Sequence, residues 1–203
     1  MNRTAGIIIS ELNEKEVVEV ASLLANSMST NPNHLAIFKS TRPSVIEKQR
    51  RMFEMVLKNQ NNKSFTAKIN NQVVGTMTYT TSEHCQLQPL DIVKSMPVFI
   101  NMFGIHILPV LKWRMNWSKH DYKCKHNHFG PIAVSPDYQG NGVGKSLLKH
   151  YCNYLDITRQ TGYLETDKEI NVGLYERFGF KIIETDKVLG VKNWFMVRKP
   201  TNL

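Results

Sequence analysis

Cysteine is scarce in this sequence, and the first residues do not resemble an export signal. The 203 residues include three cysteines, which are odd in number and widely spaced: Cys85, Cys124 and Cys152. That arrangement favours a reduced, intracellular protein over a disulfide framework. The opening segment MNRTAGIIISELNEKE has an apolar run of only three residues before charges follow, which is too short for the core of a signal peptide. We therefore expect a cytoplasmic protein.

Charged side chains are missing between Lys94 and Lys112. The run SMPVFINMFGIHILPVL in this interval is 17 residues of mostly apolar character, close to the lower limit for a membrane-spanning helix. Proline, glycine, asparagine and histidine interrupt the run, and the chain has no second segment of this kind. We expect one or two helices with a large apolar face here, not a membrane span.

Acidic residues are outnumbered by basic ones. The chain has 26 Lys and Arg against 17 Asp and Glu, which gives a formal net charge of +9. The basic residues are scattered, and no helix-turn-helix, zinc-finger or RNP-like pattern is present. A basic excess suits a ligand with several phosphates as well as a solvated surface. We expect no nucleic-acid partner.

Hydrophobic periodicity predicts a single α/β (α+β) domain over residues 1–203. Up to residue 127 the expected elements are a strand at 7–9, a helix from Ser10 that Asn31-Pro32-Asn33 breaks, a helix after Pro43, a hairpin turning at Asn70-Asn71, and an insertion at 85–127. After the insertion we expect a strand ending at Val134, a helix at 143–159, a strand at 163–166, a helix opened by a Thr166–Glu169 capping box, and two strands between 181 and 198. We expect a central, twisted, mostly antiparallel sheet flanked by helices, with a helical, apolar insertion before the fourth strand.

A glycine-rich loop precedes the helix with the clearest apolar stripe. Its alternating glycines are Gly140, Gly142 and Gly144. Without Cβ atoms the backbone can turn sharply and approach a ligand closely. The helix beginning near Val143 has free N–H groups in its first turn, and Lys145 and Ser146 lie just inside it. The loop is therefore expected to bind an anion, most commonly phosphate.

Two familiar phosphate motifs do not fit this loop. A P-loop, G-x-x-x-x-G-K-[ST], needs glycine at residue 139 when counted back from Gly144-Lys145-Ser146, but residue 139 is Gln. The dinucleotide fingerprint G-x-G-x-x-G ends on Lys145 if it starts at Gly140, and on Leu147 if it starts at Gly142. The spacing therefore argues against a nucleotide hydrolase and against a dinucleotide-binding enzyme.

A third pattern fits. The segment Gln139-Gly140-Asn141-Gly142-Val143-Gly144 matches [RQ]-x-x-G-x-[GA] and follows a strand that ends in Ile132-Ala133-Val134. It resembles the acetyl-CoA loop of the GNAT superfamily of N-acetyltransferases. The resemblance implies a GNAT-like fold in which the backbone of the strand binds the pantetheine arm and the loop amides bind the pyrophosphate. The residues that it assigns to acetyl-CoA in this stretch are Ile132, Ala133, Val134, Gln139, Gly140, Asn141, Gly142, Val143, Gly144, Lys145 and Ser146.

A second signature lies on the next predicted helix. Residues 171–180, NVGLYERFGF, resemble the N-x-x-[LF]-Y-x-x-x-G-F segment of the same family, and residues 164–180 are similar to its branch that includes puromycin-type acetyltransferases. The spacing of four places Asn171 and Tyr175 on one helical face. The resemblance implies that Asn171 holds the pantetheine and that the Tyr175 hydroxyl approaches the CoA sulfur. A phenol with an ordinary pKa of about 10 stays protonated at neutral pH and can protonate the departing thiolate.

The amine that attacks a thioester must be neutral, so a base has to take its proton directly or through water. The residues considered for this role are His126, His128 and Glu165, with His128 and Glu165 preferred. If the fourth strand extends back to Cys124, then Cys124, His126 and His128 share one face of it. Glu165 closes the neighbouring strand. The resemblance does not settle the choice, because GNAT enzymes differ in their base.

The same histidines could belong to a different kind of site. Cys124, His126 and His128, with His120 nearby, have the residue types of a zinc site. Their spacing is not that of a zinc ribbon or finger, and alternating ligands on one strand need partners from elsewhere. We expect acetyl-CoA as the co-substrate and no metal.

The predicted activity is acetyl transfer from acetyl-CoA to a primary amine of a small molecule or peptide, by direct attack while both substrates are bound. The alternative is a non-catalytic acyl-CoA-binding or regulatory module that uses the same loop. The insertion at 85–127 is expected to cover the sheet or to shape the acceptor site. A homodimer is an open alternative to a monomer.

Overall fold

The computed structural model describes residues 6–86 and 89–201, and within them one twisted sheet organises the chain. Its strands are β1 (Ile8–Glu11), β2 (Asn62–Ile69), β3 (Gln72–Thr81), β4 (Asn127–Val134), β5 (Gly162–Thr166), β6 (Lys181–Val188) and β7 (Val191–Arg198). The strand order is β1-β2-β3-β4-β5-β7-β6. Neighbouring strands are antiparallel, apart from the parallel pair β4 and β5. The predicted mostly antiparallel sheet is confirmed.

Helices cover both faces of the sheet. They are α1 (Val17–Met28), α2 (Pro32–Phe38), α3 (Pro43–Lys58), α4 (Pro89–Phe103), α5 (Ile107–His120), α6 (Val143–Thr158) and α7 (Glu169–Glu176). The apolar stripe of α6, including Leu147, Tyr151 and Leu155, packs with β3 residues such as Met77 on one face. On the other face, α1 and α3 form a second apolar cluster with Val73 and Ala133. The core therefore lies in two layers, one on each side of the sheet.

The first helix begins later than predicted. β1 continues to Glu11, and a short 3-10 turn over Glu14–Glu16 leads into α1. The side chain of Asn13 accepts a hydrogen bond from the Lys15 N–H at 2.9 Å, and Glu16 accepts one from the Asn13 N–H at 3.3 Å. This reciprocal capping box fixes the start of the helical segment, so the predicted start at Ser10 is wrong.

Of two further local predictions, one was confirmed and one was wrong. The first helix ends before Asn31-Pro32-Asn33, as predicted, and Pro32 also opens α2, because proline is well suited to the first turn of a helix. The expected Thr166–Glu169 capping box is absent: α7 follows Lys168 without a side-chain cap, and the Thr166 hydroxyl instead accepts a bond from the Lys168 N–H at 3.4 Å. Threonine here forms a local turn, which competes with helix capping.

The insertion forms two helices, as the sequence allowed. A 3-10 turn at Gly104–His106 separates α4 from α5, and φ is +54° at Gly104. Trp113 and Trp117 share one face of α5 with ring centroids 4.7 Å apart. Part of the insertion packs against α2 in a third apolar cluster, whereas Ile105 is 88% exposed.

One stretch of the insertion meets the length and composition criteria for crossing a membrane. It is Met96–His120, a largely apolar stretch of 25 residues of which only a small part is buried. The core helix of a soluble protein can meet the same criteria, so the finding is weak on its own. The expectation that the chain has no membrane span stays a prediction.

Candidate active site

A short strand ladder opens a cleft in the sheet. β5 pairs with β4 at two positions only, Asn127 with Gly162 and His128 with Tyr163. On its other side β4 stays paired with β3 as far as Val134. Beyond His128, the edge of β4 that faces β5 therefore carries backbone N–H and C=O groups that strand pairing does not use. Residues 132–134, which the sequence assigns to the pantetheine arm, lie on this edge.

Two left-handed glycines shape the loop between β4 and α6. The backbone angle φ is +76° at Gly140 and +83° at Gly142, a region that residues with a Cβ rarely adopt. The Ser146 N–H donates to the carbonyl of Gly142 at 2.9 Å. The N–H groups of residues 143–145 precede that bond and have no acceptor within the helix. Together with the positive end of the α6 dipole, they suit the pyrophosphate of CoA.

Helix α7 presents the second signature to the cleft. Asn171 and Tyr175 both line the cavity described below, and the Tyr175 side chain is 5% exposed. Burial, and then the charge of Asp167, raise the pKa of Tyr175 well above its ordinary value. Among the described residues, none forms a hydrogen bond with the Tyr175 hydroxyl. The phenol is therefore a protonated donor whose hydrogen is available to a ligand.

A single cavity of about 1450 Å³ joins these features. Its lining includes the residues assigned to acetyl-CoA, which are Ile132, Ala133, Val134, Gln139, Gly140, Asn141, Gly142, Val143, Gly144, Lys145 and Asn171. Ser146 is not part of this lining. The opposite end is formed by aromatic and aliphatic residues of the insertion together with Glu165 and His128. The cavity volume, the backbone groups that strand pairing does not use and the glycine loop all fit acetyl-CoA, although the Val134 carbonyl already accepts a hydrogen bond from the Gln139 side chain at 3.2 Å.

His128 and Glu165, which both line this cavity, contact each other. The Nε2 atom of His128 lies 2.7 Å from Oε2 of Glu165, whose side chain is 2% exposed. Burial lowers the pKa of His128, but the attraction of Glu165 and a hydrogen bond with Cys85 outweigh it and raise the pKa to about 10. His128 therefore keeps its proton at neutral pH. The other carboxylate oxygen of Glu165, Oε1, is buried and has no hydrogen-bond partner.

The residue set weighed as a zinc site does not come together. His120 lies between Glu184 and Asp186, at 2.9 Å from each. β4 begins at Asn127, so the strand does not reach back to Cys124, and the Cys124 side chain is exposed. His126 and His128 do approach each other, with ring centroids 6.1 Å apart.

Two residues that the sequence reasoning did not select lie beside these histidines. Cys85 follows β3, and Asp121 follows α5. The Cys85 sulfur is 3.4 Å from Oδ2 of Asp121, and Oδ1 of Asp121 is 3.2 Å from Nε2 of His126. Both residues lie at the ends of the insertion, which is the one sequence signal that could have suggested that they meet.

Known proteins share this architecture. A histone acetyltransferase HPA2 and related acetyltransferase from Corynebacterium glutamicum superposes with a TM-score of 0.72 at 18% identity, covering 98% of each chain. A PaiA N-acetyltransferase from Thermoplasma acidophilum, solved in complex with coenzyme A, has a TM-score of 0.58 at 13% identity and covers 96% of this chain and 99% of that one. The ribosomal-protein-S18-alanine N-acetyltransferase from Escherichia coli has a TM-score of 0.56 at 16% identity, with 97% and 96% covered. At these identities the similarity shows the fold.

The family is shown by the sequence itself. The model of the acetyltransferase (GNAT) family matches residues 32–180, which is most of the chain and includes both the glycine loop and the Asn171–Tyr175 signature. The resemblance to the puromycin-type branch stays a prediction. The chain belongs to the GNAT family of acetyltransferases.

Proposed function

We propose that this protein transfers the acetyl group of acetyl-CoA to a primary amine of a small molecule or peptide while both substrates are bound. The observation that carries the proposal is the parting of β4 and β5 after His128. It leaves one cavity with an anion-binding loop at one end and a proton donor and a carboxylate further in. Holding the two reactants together in such a cavity can lower the activation barrier by on the order of 7 kcal/mol.

The binding of acetyl-CoA, which supplies the activated thioester, is assigned to β4, the loop and α7. The unpaired edge of residues 132–134 hydrogen-bonds the pantetheine arm, as an added strand would. The amides of residues 143–145 hold the pyrophosphate, with Lys145 and the dipole of α6 adding positive charge. Asn171 orients the arm from the opposite wall. Together, these contacts hold the thioester beside Tyr175.

Tyr175 is proposed as the acid that protonates the departing sulfur. Its raised pKa keeps the hydroxyl protonated through the neutral range. No described residue competes for its hydrogen, so the hydroxyl can donate to sulfur without first breaking another bond.

Of the two base candidates, we favour Glu165. A histidine that already carries its proton at neutral pH cannot accept another, and the pKa of His128 is raised to about 10. His128 instead holds Oε2 of Glu165 through Nε2, which leaves the unpartnered Oε1 to meet the acceptor amine or a water bound to it. Glu165 then takes the amine proton, and His128 acts as its positioning residue.

The acceptor half of the cavity points to the kind of amine. Aromatic and sulfur-containing side chains of the insertion and α3 dominate that half: Met52, Phe53, Phe99, Met102, Phe103, Trp113 and Trp117. An apolar wall around one buried carboxylate suits an amine with an apolar body, since the body is desolvated and the ammonium meets Glu165.

A screen of amine acceptors tests the proposal. The protein is incubated with acetyl-CoA and a panel of primary amines and amino-terminal peptides, and free CoA thiol and acetylated product are followed together. The expected result is thiol release that requires both acetyl-CoA and an apolar primary amine. Acetyl-CoA that binds in calorimetry but releases no thiol with any amine would favour the alternative, a non-catalytic acyl-CoA-binding module.

A further inference from the structure

Four side chains that can bind a metal converge beside the acceptor end of the cavity. They are Cys85, Asp121, His126 and His128, and one ligand atom of each lies within 4.8 Å of all the others. Asp121 is central: it lies 3.4 Å from the Cys85 sulfur, 3.2 Å from Nε2 of His126 and 3.9 Å from Nδ1 of His128. In a tetrahedral zinc site the ligand atoms lie roughly 3.3–3.8 Å apart. The site therefore needs side-chain movements of about 1 Å to close around an ion.

Three of these ligand atoms are buried and make no hydrogen bond of good geometry: Oδ1 of Asp121, Nε2 of His126 and Nδ1 of His128. The first two lie 3.2 Å apart, close enough for an ion pair when His126 is protonated. The His126 side chain is 1% exposed, so water does not satisfy it. Buried polar atoms without partners are costly, and three that face one another indicate a missing shared ligand. A cation at their common centre would satisfy all three.

The outer atoms of both imidazoles are arranged as they are in metal sites. His126 uses Nδ1 to donate to the backbone carbonyl of Cys124 at 2.8 Å, and His128 uses Nε2 to donate to Glu165 at 2.7 Å. A carboxylate or a carbonyl that accepts the outer N–H fixes the tautomer and turns the other nitrogen's lone pair inward. Gln86 donates to Oδ2 of Asp121 at 3.2 Å and orients the carboxylate in the same way.

We propose that Cys85, Asp121, His126 and His128 bind one Zn²⁺ ion. One thiolate and two imidazoles are ligands that zinc prefers, and an aspartate oxygen completes the four-coordinate shell. The ion with one thiolate, one carboxylate and two neutral imidazoles has no net charge, which a partly buried site tolerates well. Binding releases the proton of the Cys85 thiol and the inward-facing proton of each protonated imidazole, and forms four bonds from ligands to zinc.

The position of the site assigns its role. Cys85 is the first residue of the insertion, Asp121 follows α5, and His126 and His128 lie just before and just inside the start of β4. The ion therefore ties both ends of the insertion to the central strand, next to the wall of the acceptor half. Four protein ligands leave no open position, so the ion is structural. It also fixes the His128 ring, which holds Glu165 through its other nitrogen.

The test uses the full chain without a histidine tag, loaded with zinc or cobalt and freed of excess metal. Zinc content is measured by elemental analysis, and Co²⁺ is used as a spectroscopic probe of the ligands. We expect one ion per chain and a cobalt–thiolate charge-transfer band. Cys85→Ser should remove that band, and both Cys85→Ser and His126→Gln should weaken zinc binding by at least the roughly 10- to 100-fold that loss of an orienting partner causes.

Cys124→Ser is the matched control, because Cys124 is an exposed cysteine near the same histidines and contributes only its backbone carbonyl. It should keep both the stoichiometry and the cobalt band. Wild-type protein that holds no stoichiometric zinc after loading, or that lacks the thiolate band, would overturn the proposal even if the variants fail to fold. Retention of the ion and its band in Cys85→Ser would also overturn it, since the metal would then lie elsewhere.

Discussion

Replacing Tyr175 by phenylalanine removes one oxygen atom from the thiol end of the cavity. The phenol is 5% exposed, and its ring packs edge-on against Phe180 with centroids 6.0 Å apart. That contact survives in Tyr175→Phe. Because no described residue hydrogen-bonds the hydroxyl, its removal leaves no partner unsatisfied, and the free energy of unfolding should be unchanged or slightly higher. Any loss of turnover therefore reports on chemistry and not on folding.

The size of the loss follows from the proposed role. A positioned general acid contributes about 10²- to 10⁴-fold to a rate. At about 1.36 kcal/mol for each factor of ten, Tyr175→Phe should raise the barrier by roughly 3–5 kcal/mol. The KM for acetyl-CoA should stay near the wild-type value, because the ring keeps its apolar contacts. The raised pKa of Tyr175 also predicts that wild-type activity is not lost through phenol ionisation below pH of about 10.

The assay is steady-state thiol release with the best amine from the acceptor screen, with acetyl-CoA affinity measured separately by calorimetry. Tyr154→Phe is the control, because it removes a phenol from α6 outside the cavity lining. It should keep wild-type turnover. If Tyr175→Phe also turned over at the wild-type rate while binding acetyl-CoA normally, Tyr175 would not be the acid.

Glu165→Gln should lower kcat by about 10²- to 10⁴-fold with little change in acetyl-CoA affinity. The control Glu169→Gln, on the exposed start of α7, should keep the wild-type kcat, and a Glu165→Gln protein that also kept it would reject Glu165 as the base. Asp156→Ala breaks a bidentate pair with buried Arg198, whose two hydrogen bonds are 2.7 and 2.9 Å long. It should lower the free energy of unfolding, measured in urea, by about 3 kcal/mol, whereas Glu47→Ala, which breaks a surface ion pair, should lower it by at most about 1 kcal/mol. Hydrogen bonds from Arg198 lower the pKa of Asp156 to about 2. The stabilisation that ionised Asp156 gives the folded protein is therefore present above the ordinary pKa of about 3.8 and is lost as the pH falls from about 4 towards 2. If the difference in unfolding free energy between wild type and Asp156→Ala grew as the pH fell through that range, this assignment would be contradicted.

The local patterns that predicted the fold have a short range along the chain. The Asn70-Asn71 turn has φ of +50° and +63°, as a two-residue hairpin requires, and the apolar stripe of α6 faces the sheet. The predicted start of the first helix was wrong because Ser10 and Asn13 are both possible caps. Asn13 is the better cap, since Glu16 lies three residues further on and completes a capping box. The end of α1 before Pro32 was predicted, but the start of α2 at Pro32 was not, although proline is well suited to the first turn of a helix.

In the site as well, features that are local in sequence were predictable and contacts between distant residues were not. The glycine loop and the Asn171–Tyr175 pair are contiguous in sequence, so spacing alone places them on the correct elements. The contact between His128 and Glu165 depends on the register of the parallel pair β4 and β5, which no local pattern specifies. The meeting of Cys85 with Asp121 depends on how the insertion folds back over 36 residues, which is a tertiary event.

The proposed function requires acetyl-CoA to bind to the loop between β4 and α6, and one calorimetric comparison tests this binding directly. Gly142 and Gly190 both have φ of +83°, so aspartate at either position meets the same backbone strain, but Gly190 lies in the turn between β6 and β7. A carboxylate about 4 Å from a phosphate costs about 4 kcal/mol near a protein surface, or roughly a thousandfold in affinity. Gly142→Asp should lose CoA binding, and Gly190→Asp should keep it. Undiminished CoA affinity in a folded Gly142→Asp protein would show that CoA does not bind to this loop.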